Sequence, residues 1–523
     1  MSQNFYLLFV RKKHNKSGTV SVQVIDKSKG TYRVIKTVGS SSDPGEIEAL
    51  YHQGIELIPK LIGQTSIDFA HHADRTFVKI LENSIQSHRL VGPYLLLGDI
   101  FDQIGFNQIK DDLFKHLVIS RLAYPGSKLK TVEYMKRYLN LQYDVYRVYR
   151  YMDELHGKYK QQIQQISYEH TLKILGGTIS VVFYDVTTIY FEAEKEDELR
   201  ITGFSKDGKH QNPQIVLGLL VSANGYPLAY EIYEGNKFEG HTMIPVLESF
   251  RQTYQIEDLI VIADAGLMSK ENILELSTQG LKYILGARLK TMSKEITDKI
   301  MAHSVEDGQQ SMIKMADGSR LLVNYSAKRA KKDAHNRERG LRKLEKALAG
   351  GKLTKKHINN RGYNKYLSIS GDVDITINYE KYNEDAKWDG LKGYVTNTNL
   401  KAGQVIEHYK ELWSIEKAFR ISKTDLRIRP IYHRLTHRIE THITISFCAY
   451  KIYKELERQL KVKKTDKSAA RVIEVLLSIF AIEVALPNSQ QITEIPIITD
   501  NEQSEILEMF GISSSKSLNM GKH

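Results

Sequence analysis

One cysteine among 523 residues, Cys448, leaves no means of making an intrachain disulfide, a thiolate zinc finger or a CxxC redox pair. It stands in the apolar run ITISFCAY, the setting of a core residue. No apolar run approaches the ~20 residues that a membrane span needs. The opening MSQNFYLLFVRKK puts its apolar stretch before the basic cluster, the reverse of a secretory signal. The expectation is a cytoplasmic chain without membrane contact. A glycine-rich phosphate loop ending in Gly-Lys-Ser/Thr is also missing, so no ATP is expected, and no GxSxG elbow or thiol motif supports an acyl enzyme. With 41% hydrophobic and 26% charged residues, disordered, collagen-like and coiled-coil chains are excluded.

What the chain has in excess is positive charge. Its 74 Lys and Arg against 62 Asp and Glu leave +12, a balance that favours a polyanionic partner, nucleic acid before anionic membrane. Eight Lys and Arg against Asp26 alone stand in residues 1–41, and fourteen against Asp333, Glu338 and Glu345 stand from Tyr325 to Tyr366. Two separate basic surfaces suit a long ligand such as a DNA duplex followed along its phosphates. A solvated charged face is the competing reading.

FYLLFV, TVSVQVI and TYRVIKTV read as a three-stranded meander, and Asp43, Pro44 and Glu46 open a helix to about Leu61. From Gly92 to about Leu175 the pattern is helical, with a break at Pro125-Gly126. TISVVFYDVTTIYFE and QIVLGLLVSANGYPLAYEIY then supply three strands, the last two joined at Asn224-Gly225. TMIPVLESFRQTY, DLIVIAD, SKENILELSTQG and LKYILGA alternate helix and strand. The order βββ-α-β-α-β predicts an α/β fold with an RNase H-like catalytic core. After Ala287 about a hundred residues interrupt it, including a very basic helix from about Tyr325 to Leu348. GYVTNT resumes a strand, and one long helix is predicted from about Ala402 to about Arg427. A helical region to about Val484 and a mobile Ser-rich tail complete the chain.

Asp185 lies inside the apolar strand VVFYDVTT and Asp264 ends LIVIAD, where a carboxylate is costly unless paired, hydrogen-bonded or metal-bound. On one continuous helix, at ~100° per residue, Tyr409, Leu412, Glu416, Arg420, Lys423 and Arg427 share a narrow face. Alone, that face reads equally as solvated. Two strand carboxylates with one helix carboxylate on a basic chain, however, offer hard oxygen ligands for Mg²⁺ or Mn²⁺. Two such ions ~3.5–4 Å apart serve in-line phosphoryl displacement.

Tyr409, Glu416 and Lys423, spaced with Leu412 as Tyr-(2)-Leu-(3)-Glu-(6)-Lys, resemble the Tyr-(2)-Arg-(3)-Glu-(6)-Lys signature of bacterial insertion-sequence DDE transposases with an insertion before the glutamate. FYDVTTIYFE and VIADAGLMS resemble that family's two aspartate strands. YEGNKFEGHT, WDGLKGYVTNT and LWSIEKAFRISKTDLRIRPIYHR are similar to further family blocks. The resemblance covers about residues 178–450. It implies Asp185, Asp264 and Glu416 as catalytic and metal-binding residues, holding two Mg²⁺ or Mn²⁺ ions, with Tyr409 and Lys423 on DNA phosphate. Leu412 departs from it, and Arg420, one turn further along, is the expected substitute.

Other positions keep two readings each. Lys206, in Lys-Asp-Gly-Lys, is a phosphate contact or part of a turn. Arg427 continues the cationic face toward DNA. Trp388 stacks on a flipped base or packs in the core. His433, His437 and His442 suit packing or DNA contact rather than zinc.

The expected domains are an N-terminal β meander plus helix (1–90), a helical DNA-binding region (91–172), the core in two parts (173–287 and 392–455) around an insertion domain (288–391), and a C-terminal helical region and tail (456–523). The implied function is metal-dependent cleavage at terminal inverted repeats and transfer of the 3′ hydroxyl ends into target DNA, by a homodimer on double-stranded DNA. The alternatives are an RNase H-like nuclease without strand transfer and a non-catalytic DNA-binding regulator derived from a transposase.

Overall fold

The computed structural model describes residues 7–62, 69–303, 306–359, 362–370, 374–486 and 489–512. The Ser-rich tail beyond 512, expected to be mobile, lies outside the described residues. The chain forms two compact units, Met1–Gln86 with Val484–Thr493, and Ser87–Glu483 with Glu494–His523. Among the described residues no helix is long and apolar enough to cross a membrane.

In the first unit β1 (Leu8–His14), β2 (Val20–Asp26) and β3 (Arg33–Ser41) form an antiparallel meander. Alternation puts Val10, Val22 and Val24 on one face, where Ile47, Leu50 and Ile58 of α1 (Pro44–Leu61) cover them. Asp43 starts that helix by accepting from Glu46 N at 2.9 Å. α2 (Phe69–Ser84) follows, and β4 (Ile85–Leu90) belongs mostly to the second unit.

In the second unit α3 (Gly92–Ile104), α4 (Asp112–Ala123), α5 (Lys128–Leu139) and α6 (Val145–Ile174) precede the sheet, with the predicted break between α4 and α5. Next come β5 (Val181–Tyr190), β6 (Gln214–Ser222), β7 (Pro227–Glu234), α7 (Met243–Tyr254), β8 (Ile260–Ala263), α8 (Lys270–Thr278) and β9 (Lys282–Ala287), the strand and helix order read from the sequence. The segment after β9 holds α9 (Lys294–Ala302), β10 (Gln310–Lys314), β11 (Arg320–Tyr325), the basic α10 (Ala327–Ala349), a small hairpin of β12 (Leu367–Ser370) and β13 (Asp374–Ile377), and α11 (Tyr379–Ala386). β14 (Leu391–Thr396) then returns to the sheet. The result is a mixed α/β fold on one eight-stranded mixed sheet of order β10-β11-β14-β9-β8-β5-β6-β7. β5, β8 and β9 run parallel, and the other pairings are antiparallel. β10 and β11 therefore extend the same sheet through β14 instead of building one of their own.

Two predicted elements differ. The single helix expected from Ala402 to Arg427 is two, α12 (Ala402–Lys410) and α13 (Trp413–Thr424). No glycine or proline marks the break. The backbone tightens there to i→i−3 bonds, Glu411 N to His408 O, Leu412 N to Tyr409 O and Ile415 N to Leu412 O. This rotates Leu412 inward, to 7% exposure. The helical reading to Val484 is also corrected: α14 (Thr436–Val462) and α15 (Ala469–Leu476) are followed by β15 (Phe480–Ala485), β16 (Ile492–Ile497) and α16 (Asn501–Met509). In FAIEVA only Ala481 and Val484 are buried, a spacing of three without strand alternation, and its alanines and glutamate read as helix formers.

α6 and α14 bury a polar cluster between them. Lys451 Nζ donates to Ser167 O at 2.8 Å and to Thr171 Oγ1, and Tyr226 OH donates to Glu455 Oε2 at 2.6 Å. Beside it His170 is pushed down to about 4, first by burial and then by Lys451. An unfolded histidine titrates near 6.5, so below that pH the unfolded chain takes up a proton that the folded chain refuses. The stability due to neutral His170 is present above pH 6.5 and is lost as pH falls toward 4, by up to about 3 kcal/mol. Urea midpoints measured between pH 7 and 4.5 should fall less steeply for His170→Gln than for wild type.

Candidate active site

Strand register brings the first two carboxylates together. Tyr184 of β5 pairs with Ala263 of the parallel β8, so the next residues, Asp185 and Asp264, stand side by side where β8 ends. Asp185 alternates with the buried Tyr184 and Val186, whose side chains belong to the opposite face. Phe183 shares the Asp185 face and packs in the core that includes α12 and α13. Asp185 Oδ1 accepts from Val186 N at 2.7 Å, and Asp264 Oδ1 from Gly266 N in a tight turn. Burial pushes Asp185 up to about 6; Lys206 opposes the shift, while Asp264 and Glu239 add to it.

Glu416 occupies the first turn of α13 and is exposed. The group that reports on all three carboxylates is the Tyr409 phenol near the end of α12. Its pKa is raised first by burial and then by Asp264, Tyr394, Glu416 and Asp185. Tyr409 lies against β9, where a side chain at Gly286 would collide with its hydroxyl and come within 3.0 Å of Ala265 N. Lys392 stands 4.6 Å from the centre of the Tyr409 ring and also feels Glu416.

Around this group lie further charges, of which the sequence reading singled out Lys206 but not Glu239 or Asp207. Lys206 Nζ donates to Val186 O at 2.7 Å and sits 3.0 Å from Glu239 Oε1 and 3.9 Å from Asp185 Oδ1. A methyl built on Gly266 would be 2.8 Å from Asp264 Oδ1 and 3.9 Å from Glu239 Oε2, so Glu239 faces Asp264 across that glycine. The next loop residue, Asp207, receives Lys423 at 3.2 Å and also pairs with Arg429. Glu239 belongs to FEGHT, where no apolar strand flagged a buried acid; Asp207 was hidden in a plain turn motif.

A cavity of about 280 Å³ opens beside Ala265 and Tyr409, lined also by Trp388, Arg329, Lys290 and Lys392. Trp388 is half-buried and packs on the core while walling this cavity. Arg420 is exposed and acts on the Tyr453 phenol; among the described residues it makes no contact with the three carboxylates. Arg427 is exposed at φ +44, with its carbonyl turned toward Arg121. Leu412, buried, leaves no cation at the arginine position of the signature. Of the three histidines, His442 is buried, His433 half-buried, and His437 pairs with Asp153 at 2.8 Å. Among the described residues no three His, Cys, Asp or Glu side chains form a ready-made metal cage. The oxygen-rich surroundings of the Lys206 ammonium nonetheless fit a hard cation.

Residues 176–452, more than half of the chain, match the family model described as the transposase DDE domain. The chain belongs to the DDE transposase family. A solved piggyBac transposase synaptic complex with hairpin DNA is similar over 70% of this chain and 69% of that one, at 9% identity and a TM-score of 0.38. No curated protein matches the chain.

Proposed function

We propose that this chain is the transposase of an insertion sequence, cutting DNA at the element's terminal inverted repeats and joining the 3′ hydroxyl ends to target DNA. What supports this reading is the pair Asp185 and Asp264 at adjoining strand positions, with a buried Tyr409 that feels both of them and Glu416, in a DDE transposase domain. In this reading β7-β6-β5-β8-β9 is an RNase H-like core and residues 288–391 its insertion, which adds β10 and β11 to the sheet. Asp185, Asp264 and Glu416 would hold Mg²⁺ or Mn²⁺, which supplies electrostatic stabilisation of the phosphoryl group in flight. Tyr409, whose phenol feels those acids, would help to orient the substrate, and Lys423, Arg429 and Lys392 would supply positive charge for the scissile strand. The cavity walled by Trp388 has an aromatic face and cations suited to an unstacked base. A dimer on DNA follows from the need to cut two ends together.

The test is a labelled duplex carrying the element's terminal repeat, incubated with Mg²⁺ or Mn²⁺ and target DNA. Nicking at the repeat boundary with joined products is the expected result. Nicking without joining favours a nuclease, and binding without nicking favours a regulator.

Asp207 occupies Lys423 and Arg429 in the absence of DNA. Asp207→Asn should therefore free two cations, tighten duplex binding and steepen its salt dependence by about one counterion, as read by fluorescence anisotropy across a salt series.

A further inference from the structure

The loop after α13 rests on a buried arginine that, among the described residues, pairs with no acid. Arg121, on α4, is 3% exposed. Its guanidinium reaches the carbonyls of Leu426 at 3.5 Å and Arg427 at 3.4 Å and His442 Nδ1 at 3.5 Å, all at the outer limit of hydrogen bonding. Its Nε has no partner. His442 is neutral in this arrangement, since its Nε2–H donates to Ile428 O at 2.9 Å and its Nδ1 is left to accept.

Lys128, the first residue of α5, is 4% exposed and adds a second cation. Burial and the nearby Arg121 both disfavour its charged form. His433 packs on His442 at 5.7 Å and feels Lys128, Arg121 and Arg438. Among the described residues the acid that acts on His433 is Asp153, already engaged by Arg438 at 2.6 and 2.7 Å and by His437 at 2.8 Å.

A buried guanidinium with a free Nε, and a lysine residue 4% exposed that feels its charge, neither paired with a carboxylate among the described residues, are costly unless an anion completes them. The surface is close, because Tyr124, Leu129 and Tyr432 in the adjoining segments are exposed.

We propose that Arg121 and Lys128 form a binding site for a tetrahedral phosphate oxyanion, and that its occupant is a backbone phosphate of the DNA duplex. The oxyanion site stands on Arg121 and Lys128 alone; the choice of DNA as its source rests on the transposase reading. A phosphate bound there neutralises both cations and fixes the loop from Asp425 to His433. That loop includes Arg429, which shares Asp207 with Lys423.

The experiment uses the full chain. Thermal melts in inorganic phosphate are compared with melts in chloride at equal ionic strength, for wild type, Arg121→Gln and Lys128→Met. Phosphate should raise the melting temperature of wild type and leave both variants unmoved, and Lys128→Met in chloride should melt no lower than wild type. If Arg121→Gln does not fold, Lys128→Met carries the test. Equal stabilisation of wild type and Lys128→Met by phosphate would overturn the site.

A second arm measures duplex affinity against salt. Lys128→Met should flatten the slope by about one unit. An unchanged slope, with phosphate stabilisation lost in the variant, would overturn DNA as the source and leave free phosphate as the ligand. Neither melt depends on cleavage, so failure of the proposed strand transfer would be read separately.

Discussion

Asp185→Asn and Glu416→Gln should each lower cleavage of a terminal-repeat duplex by on the order of 10³-fold or more, the scale of removing one member of a catalytic unit. Both substitutions keep shape and hydrogen-bonding capacity while removing the charge that a divalent cation needs. Asp185→Asn also relieves the burial of a carboxylate in an apolar strand, so it should leave thermal stability unchanged or raise it. The pair should not act additively: with one carboxylate gone, the double substitution should cost little more than either alone. Duplex binding, measured by anisotropy, should persist in all three variants. Cleavage by Asp185→Asn at the wild-type rate would remove that residue from the chemistry, and loss of binding together with cleavage would point to a damaged fold instead.

Glu239 gives the contrasting case. It lies near Asp264 and shares Lys206 with Asp185, yet its replacement should cost less than either triad member if Lys206 can still satisfy Asp185. The difference between the two sets reflects what a sequence can display. Asp185 and Asp264 were legible because an acid in an apolar strand is anomalous at once, and register did the rest by placing neighbouring strand ends together. Glu239 and Asp207 sit in polar loops, where an acid is ordinary, and only the folded loops bring them to the site.

The helix break shows a second limit. A periodic pattern assumes constant twist, and nothing in KELWSIE signals the tighter turn that carries Leu412 into the core. Once Leu412 is inside, an arginine there would need a partner that the core lacks, so the departure from the signature has a packing reason. By the same logic, Arg121 and Lys128 escaped notice because charged residues on helices read as solvated until their burial is seen. The order of elements along the chain from β5 to β9, in contrast, was legible from apolar runs and turn residues, whereas their order in the sheet and the strands β10 and β11 were not.

Gly286→Ala is the second substitution expected to act strongly, and it touches no charged group. Gly286 is the point where α12 comes down on β9: an added methyl would overlap the Tyr409 hydroxyl and crowd Ala265 N, next to Asp264. β9 is held between β8 and β14, so the strand cannot retreat, and Tyr409 must move instead. Overpacking of this kind costs about 1–3 kcal/mol of stability. On the proposed function, displacing the Tyr409 hydroxyl, which feels all three acids, by about 1 Å should cost roughly 10²-fold in cleavage. The cause is separable from general damage by pairing it with Tyr409→Phe, which removes the colliding oxygen. If the clash is the cause, Gly286→Ala in the Tyr409→Phe background should lose less stability than in wild type, a coupling that urea titration of the four proteins measures directly. Equal losses in both backgrounds would assign the strain to Ala265 N, and would place Tyr409 further from β9 than its packing here requires.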